Sequence, residues 1–309
     1  MICNMDKSKI LGHFAIFTAY TIFGFNIITC KNLVSFGIIS PMGIFCLRAI
    51  GATICFWLLS LFLPKEKVDL KDLPKIFLAS MLGLFLTQIS FLKAMTITTP
   101  VDASIMTSLT PIFTMFIAAF FLKEPITLKK AGGVAISFFG VILLILNSVH
   151  APNGIGHSHP MGLFLMMCNC LFFALYLGAF KPLVQKYGTV TFMKWMFLFS
   201  AIATFPLNFT EMTTINYTNL PNELLWNLAF TVICATFIAY FLVPIGQKSL
   251  RPTVVSMYAY IQPFIAAFVS IALQMDRLTW QKIIAAILVF TGVTLVNKSK
   301  AREDVEKNE

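Results

Sequence analysis

Long apolar runs and short polar breaks alternate along the whole chain. Ten runs of about 20 residues stand out, at roughly 11–29, 40–63, 75–93, 101–122, 128–147, 161–180, 190–208, 224–246, 253–274 and 279–297. Clusters such as Pro64-Lys65-Glu66-Lys67 and Ala151-Pro152-Asn153-Gly154 separate them. At ~1.5 Å per helical residue each run can cross a hydrocarbon core of ~30 Å. The runs are continuously apolar and lack the strict alternation of barrel strands, so helices must satisfy the backbone in lipid. The pattern predicts an all-α, multi-pass membrane protein with ten transmembrane helices.

The pattern also repeats. Residues 100–148 recur at 252–300 with a constant offset (263 − 111 = 152), pairing Pro100 with Pro252, Ser104 with Ser256, Pro111 with Pro263, Lys130 with Lys282 and Gly140 with Gly292. A looser echo at offset 150 pairs Gly12, Phe14, Phe23, Lys31 and Leu33 with Gly162, Phe164, Phe173, Lys181 and Leu183. The expected organisation is a first five-helix repeat at 1–149, a second at 150–300 and a charged cytoplasmic tail at 301–309. An odd number of spans per repeat inverts the second copy. The repeats should then relate by a pseudo-two-fold axis in the membrane plane, with a binding site at their interface near the midplane.

Composition narrows this further. With 58% hydrophobic and 12% charged residues, the chain is too apolar to cover itself with polar surface as a soluble domain. The net charge of +10 raises nucleic acid as a partner, but its distribution speaks for orientation instead. With the N-terminus inside, 17 of the 23 basic residues fall on one side; only Lys31, Lys93, Arg277 and Lys282 fall on the other, with Arg48 and Lys194 inside spans. That bias predicts both termini in the cytoplasm and no nucleic-acid partner. Cysteines in or beside the spans read as small hydrophobes, so no structural disulfide is expected. The start reads as an uncleaved first helix. His157-Ser158-His159 lacks a third ligand, so no metal site is expected. Without a Walker loop, a nucleophile elbow or an HExxH motif, the chain reads as neither an ATP-driven pump nor an enzyme, and no cofactor is implied.

Proline sits at equivalent places in the fourth span of each repeat, Pro111 and Pro263. Each removes a backbone donor and predicts a bend, either a static one or a gate. Gly133, Ser137 and Gly140 line one face of the fifth span, and Ala285, Val289 and Gly292 do so in the tenth, predicting close-packed scaffold helices.

The motif string Ala94-Met95-Thr96-Ile97-Thr98-Thr99-Pro100, Pro111-Ile112-Phe113, Leu122-Lys123-Glu124-Pro125-Ile126-Thr127 and the glycines from Gly132 to Gly140 resembles that of the EamA family of the drug/metabolite transporter superfamily. Arg48, within Phe45-Cys46-Leu47-Arg48-Ala49, matches that family's arginine in the second span. The second half departs from the pattern: Gln274-Met275-Asp276-Arg277 replaces the usual Gly-Glu, and Gly246-Gln247-Lys248 replaces Ala-Leu-Lys. The resemblance implies ten helices in two inverted repeats and transport of a small organic solute, most often export.

Ionisable groups inside spans are costly and default to functional candidates. Arg48, Asp102 and Lys93 all fall in the outer half of the first repeat. A carboxylate near two cations could orient a zwitterion or take up a coupling proton. The alternative is structural: Arg48 on helix-end carbonyls, Asp102 at a helix N-terminus and Lys93 snorkelling. Asn26, Gln88, Asn169 and Gln262 offer donors and acceptors, and Tyr176, Tyr240, Tyr258 and Tyr260 offer apolar walls with a polar tip. Interhelical hydrogen bonding is the alternative for each. Glu124 and Asp276 read as turn caps, and Asn208-Phe209-Thr210 and Asn216-Tyr217-Thr218 as outer glycosylation sequons.

The expected function is a secondary transporter in the cell inner membrane, exporting a small organic metabolite such as an amino acid or a drug-like compound by alternating access. Its partners would be that solute and membrane lipid, and it would act as a monomer or weak dimer. The alternative is a nucleotide-sugar-type exchanger of phosphorylated substrates, with Arg48 and Lys194 as its cations.

Overall fold

Eight helices, among the residues described, are long and apolar enough to cross a membrane. The computed structural model describes residues 7–122, 128–150, 158–215, 220–275 and 279–297, and every regular element in it is helical. In chain order these are α1 (Lys7–Ser35), α2 (Pro41–Leu61), α3 (Leu73–Ser80), α4 (Thr87–Ile97), α5 (Pro100–Thr107), α6 (Thr110–Leu122) and α7 (Leu128–His150). The second half gives α8 (Pro160–Ala179), α9 (Lys181–Lys186), α10 (Thr189–Thr214), α11 (Asn222–Ala229), α12 (Ala239–Ser249), α13 (Pro252–Met257), α14 (Ile261–Ala272) and α15 (Trp280–Asn297). Large apolar side chains such as Phe120 (80% exposed) and Phe268 (78%) cover the outside, as a surface facing lipid requires.

Local chemistry sets the helix ends. Gly37, at φ 65°, turns the chain after α1 in the left-handed backbone conformation that favours glycine. Ser40 caps α2 by accepting from the Gly43 N–H at 3.0 Å, ahead of Pro41 in the first turn. Thr99 caps α5 in the same way, with Pro100 next and Asp102 in the first turn.

Two internal interruptions recur in both halves. A π-helical turn joins α3 to α4 at Met81–Leu86, and another joins α11 to α12 at Phe230–Ile238. A threonine hydroxyl donates five residues back at each: Thr87, just past the first turn, to the Leu82 carbonyl, and Thr236, within the second, to that of Thr231, both at 2.6 Å. The expected proline bends also appear, one turn ahead of each ring. The first lies at Ser108–Leu109, between α5 and α6, and the second at Tyr258–Tyr260, between α13 and α14. Pro111 cannot bond the Thr107 carbonyl, and the Thr110 hydroxyl does so at 2.7 Å.

Contacts between the halves are reciprocal. A Cβ at Gly12 would meet Ser249 and Leu250, and one at the equivalent Gly162 would meet Ile97 and Thr98. Lys31 donates to the Met95 and Thr98 carbonyls at 2.9 and 2.7 Å; its equivalent Lys181 donates to Leu250 at 2.9 Å. Both lysines cap helix C-termini, where the macrodipole is negative. Equivalent helices run antiparallel where they meet. The Glu211 carboxylate, near the end of α10, receives Ser40 at the start of α2, and Glu66, beyond α2, receives the Gly188 N–H at the start of α10. In the same way α7 packs along α15, with a Cβ at Gly292 only 2.2 Å from the Gly133 carbonyl and one at Gly140 2.9 Å from that of Ala285.

Candidate functional site

The two halves line an open-sided cavity of about 60 Å³. Its wall takes Tyr20, Phe23 and Asn26 from α1, Thr87, Gln88 and Phe91 from α4, and Thr107 and Thr110 from either side of the first bend. The second half supplies Asn169 and Phe173 from α8, Tyr240 from α12 and Gln262 from α14. Three pairs are equivalent under the repeat: Phe23 with Phe173, Gln88 with Tyr240, and Thr110 with Gln262. Gln88 donates to the Tyr240 hydroxyl at 2.6 Å, so this pair meets its own counterpart across the repeat axis.

The wall is aromatic with four amides set into it. Phe23 stands edge-on to Tyr240, with ring centroids 5.5 Å apart. Asn169 donates to the Thr87 carbonyl at 2.8 Å, at the exit of the π-helical turn. Two wall atoms are buried without a protein partner, Gln88 Oε1 and the Tyr20 hydroxyl. Both belong to residues that line the cavity, where polar groups without a protein partner are the usual points for a ligand to bond.

Five of the sequence candidates therefore share this wall: Asn26, Gln88, Asn169, Tyr240 and Gln262. The others lie elsewhere. Tyr176 is buried behind it, its hydroxyl donating to Gln247 at 3.1 Å and its ring against Gly83 in the π-helical turn. Tyr258 pairs its hydroxyl with His13 Nδ1 at 2.7 Å. Pro111 and Pro263 are both buried just beyond the bends.

Arg48, Asp102 and Lys93 do not form the cluster expected of them. Lys93 is exposed. Asp102 instead pairs with Lys282 of α15, Oδ1 to Nζ at 3.2 Å, both side chains almost wholly buried. Ser158 donates to the other carboxylate oxygen at 2.6 Å and accepts the Thr99 N–H, while Lys282 also reaches the Thr99 hydroxyl at 3.2 Å. This network ties α5, the lead into α8 and the start of α15 together at one end of the bundle. Arg48 lies apart, fully buried; its Nε donates to Thr236 at 2.8 Å and its Nη1 to the Cys30 sulfur at 3.7 Å.

The opposite, basic end carries a second network, between the chain that follows α2 and that which precedes α10. Lys186 bridges Asp69 and Asp72, and the Tyr187 hydroxyl donates to Asp72 at 2.8 Å. Lys186, Lys75 and Tyr187 together hold the Asp72 carboxyl well below the usual carboxylate range, and Asp69 and Asp72 push the Lys186 ammonium above its own.

Some readings need correction. Asn208 is no loop sequon: it lies in α10, buried, donating to the Thr204 carbonyl at 2.9 Å. His159 caps α8, accepting the Met161 N–H at 3.1 Å. Lys194 lies over the Trp57 ring, 5.0 Å from its centroid, and is absent from the cavity wall. Glu124, Asp276, His157 and the sequon at 216–218 lie outside the described residues. Sequence reasoning missed Tyr20, Phe23, Thr87, Phe91, Thr107, Thr110, Phe173 and Lys282. The echo at offset 150 pairs Phe23 with Phe173 without marking either as a wall residue, and the offset of 152 would have led from the candidate Gln262 to Thr110.

Known proteins resemble the chain along most of its length. The model of the EamA-like transporter family matches twice, at residues 10–146 and 160–298. An uncharacterized transporter of Archaeoglobus fulgidus is 24% identical over 262 residues, covering 85% of this chain and 90% of its own. The uncharacterized transporter YetK of Bacillus subtilis is 23% identical over 74% of this chain and 70% of its own. Among solved structures, one crystal structure superposes with a TM-score of 0.63 at 16% identity, covering 96% of this chain and 98% of that one, a likeness of fold.

Proposed function

The chain belongs to the EamA-like transporter family, and on that premise we propose that it exports a small amphipathic organic metabolite, such as an amino acid or drug-like compound, by alternating access. It is a multi-pass membrane transporter. The observation that carries the finer reading is the cavity between the halves, with aromatic walls, four amides and unsatisfied polar atoms. A site at the interface of two repeats can be exposed to either side by rocking one against the other. In this reading ten helices cross the inner membrane, both termini lie in the cytoplasm, and the basic end faces inward. The helix breaks at Ser108–Leu109 and Tyr258–Tyr260 border wall residues Thr107, Thr110 and Gln262, so bending there would open or close the chamber. The wall itself carries no lysine or arginine, which disfavours the exchange of phosphorylated substrates.

A thermal-shift screen of the detergent-purified protein tests this. A ligand that binds only the folded state raises Tm by mass action. Amino acids or drug-like compounds should raise it, and Asn169→Trp, which fills the chamber, should abolish the rise while proteoliposome efflux of the same compound stops. Hits confined to nucleotide sugars, or a rise indifferent to Asn169→Trp, would sink the reading.

A further inference from the structure

Arg48 is a buried cation without an anion. No carboxylate among the described residues comes within ion-pair distance of it, and its Nη2 is buried with no hydrogen-bond partner. The bonds it does make go to a hydroxyl and a sulfur, both neutral. A guanidinium in a membrane interior is costly to insert, so one held without a counter-charge calls for a use.

Its surroundings connect it to the cavity. Nη1 donates to the Cys30 sulfur, and the Cys30 thiol donates to Asn26 Oδ1 at 3.4 Å. Asn26 is in the wall, and with its oxygen engaged its amide N–H groups are what it offers the chamber. Each donor in this chain points away from the arginine, so the positive charge polarises the series towards the cavity. Arg48 is also close enough to Tyr240, another wall residue, for its charge to act on that hydroxyl. Among the described residues the wall holds no acidic or basic side chain to oppose this field, and at the end of the bundle Asp102 and Lys282 pair with each other.

We infer that Arg48 is the specificity-determining residue of the cavity: it sets a positive potential there that admits solutes carrying one anionic group, such as a carboxylate, and rejects organic cations. The inference rests on the cavity being the transport site. One uncompensated charge matches a monoanion; a phosphate dianion would leave a negative charge unmet. The aromatic wall takes the solute's apolar body, and Gln88 Oε1 accepts from any N–H it carries.

The potential can be read without knowing the substrate. Gln262→Cys places a thiol in the wall, on a stretch of chain without native cysteines. The full-length variant in proteoliposomes is treated with an anionic (sulfonatoethyl) or a cationic (trimethylammonioethyl) methanethiosulfonate. Rates at position 262, followed by peptide mass spectrometry, are normalised to each reagent's reaction with free mercaptoethanol. We expect the normalised anionic rate to exceed the cationic one by about tenfold or more, as a unit charge in a low-dielectric site produces. Arg48→Met should bring the ratio to about one, and Arg48→Lys, which keeps the charge, should retain most of the preference. Equal rates with Arg48 present, or a preference that survives Arg48→Met in a folded, monodisperse protein, would overturn the inference while leaving the cavity open as a transport site. If neither reagent reacts at position 262, the cavity reading fails and the inference with it.

Discussion

Among the described residues, two cations are buried in the helices, and their surroundings differ. Lys282 has a carboxylate at 3.2 Å, a threonine hydroxyl at 3.2 Å, and a serine that satisfies the carboxylate's second oxygen. Arg48 has a hydroxyl at 2.8 Å, a distant sulfur and an orphaned Nη2. A charge-paired network joins what it touches, here α5 of one half to α15 of the other. A charge held only by neutral groups has a field that extends beyond its own residue. The contrast separates a fastening at the end of the bundle from a reserve of charge beside its cavity.

The largest effect expected of this contrast is on stability at the Lys282 end. Asp102→Ala removes the carboxylate 3.2 Å from a buried ammonium, and breaking a buried pair in this way costs about 3–5 kcal/mol. The thermal unfolding midpoint in detergent should fall steeply. Adding Lys282→Met should restore most of the loss, since replacing both charges by apolar groups is often neutral. A single variant as stable as wild type would mean that the pair is not a fastening. Asp102→Asn, assayed for transport between acidic and neutral pH, separates this role from proton coupling: a carrier still driven by a proton gradient leaves the carboxylate structural.

Arg48 should behave in the opposite sense. Arg48→Met removes a charge that has no ionic partner, so Tm should hold or rise, while the cavity loses its preference for anions by about tenfold, equivalent to about 1.4 kcal/mol. A variant that is badly destabilised would place Arg48 with Lys282 as a structural cation and erase the distinction. The outcome is read by melting and by the ratio of anionic to cationic reagent rates on the same preparation.

How far the chain announces these two sites is itself unequal. Hydropathy and the offset of 152 reach the repeats, the bends near Pro111 and Pro263 and the packing of α7 on α15, because each is local periodicity or self-comparison. Gln88 and Tyr240 were legible as polar groups within apolar runs, and their separation (240 − 88 = 152) marks them as mates. The partner of Asp102 was not legible. Lys282 is 180 residues away (282 − 102 = 180), near the start of the last apolar run, where it reads as a flanking topology charge. Nothing in the repeat suggests the pair, because the position equivalent to Asp102 is Val254. The π-helical turns were equally hidden: they contain no proline, and the threonines that complete them look like any others in a span.

A smaller effect tests whether Arg48 is held in place. Thr236→Val keeps the shape but removes the acceptor of Nε and the donor to the Thr231 carbonyl. A lost buried hydrogen bond to a charged group should cost about 1.5–3 kcal/mol, and the part belonging to Arg48 should vanish in an Arg48→Met background. Additive losses in that double-mutant cycle would show the guanidinium indifferent to Thr236, and the donor chain towards Asn26 would lose its fixed starting point.

The smallest effect belongs to the Lys186 cluster at the basic end, which is half-exposed and screened by water and salt. Its pH behaviour follows from the signs of its shifts. Asp72 titrates lower in the folded protein than in the unfolded chain, so its contribution is complete above about 3.9 and fades as pH falls through the lower folded value. Lys186 titrates higher when folded, so its contribution is complete below about 10.4 and fades only as pH rises through the higher folded value. Between these limits the cluster is constant. Lys186→Ala should therefore lower Tm slightly, by less than Asp102→Ala, and by the same amount from about pH 5 to about pH 9, with high salt shrinking the difference. A penalty that grows or disappears within that window would mean that some other titrating group fastens the basic end, and the two ends of the bundle would then differ in pH sensitivity as well as in burial.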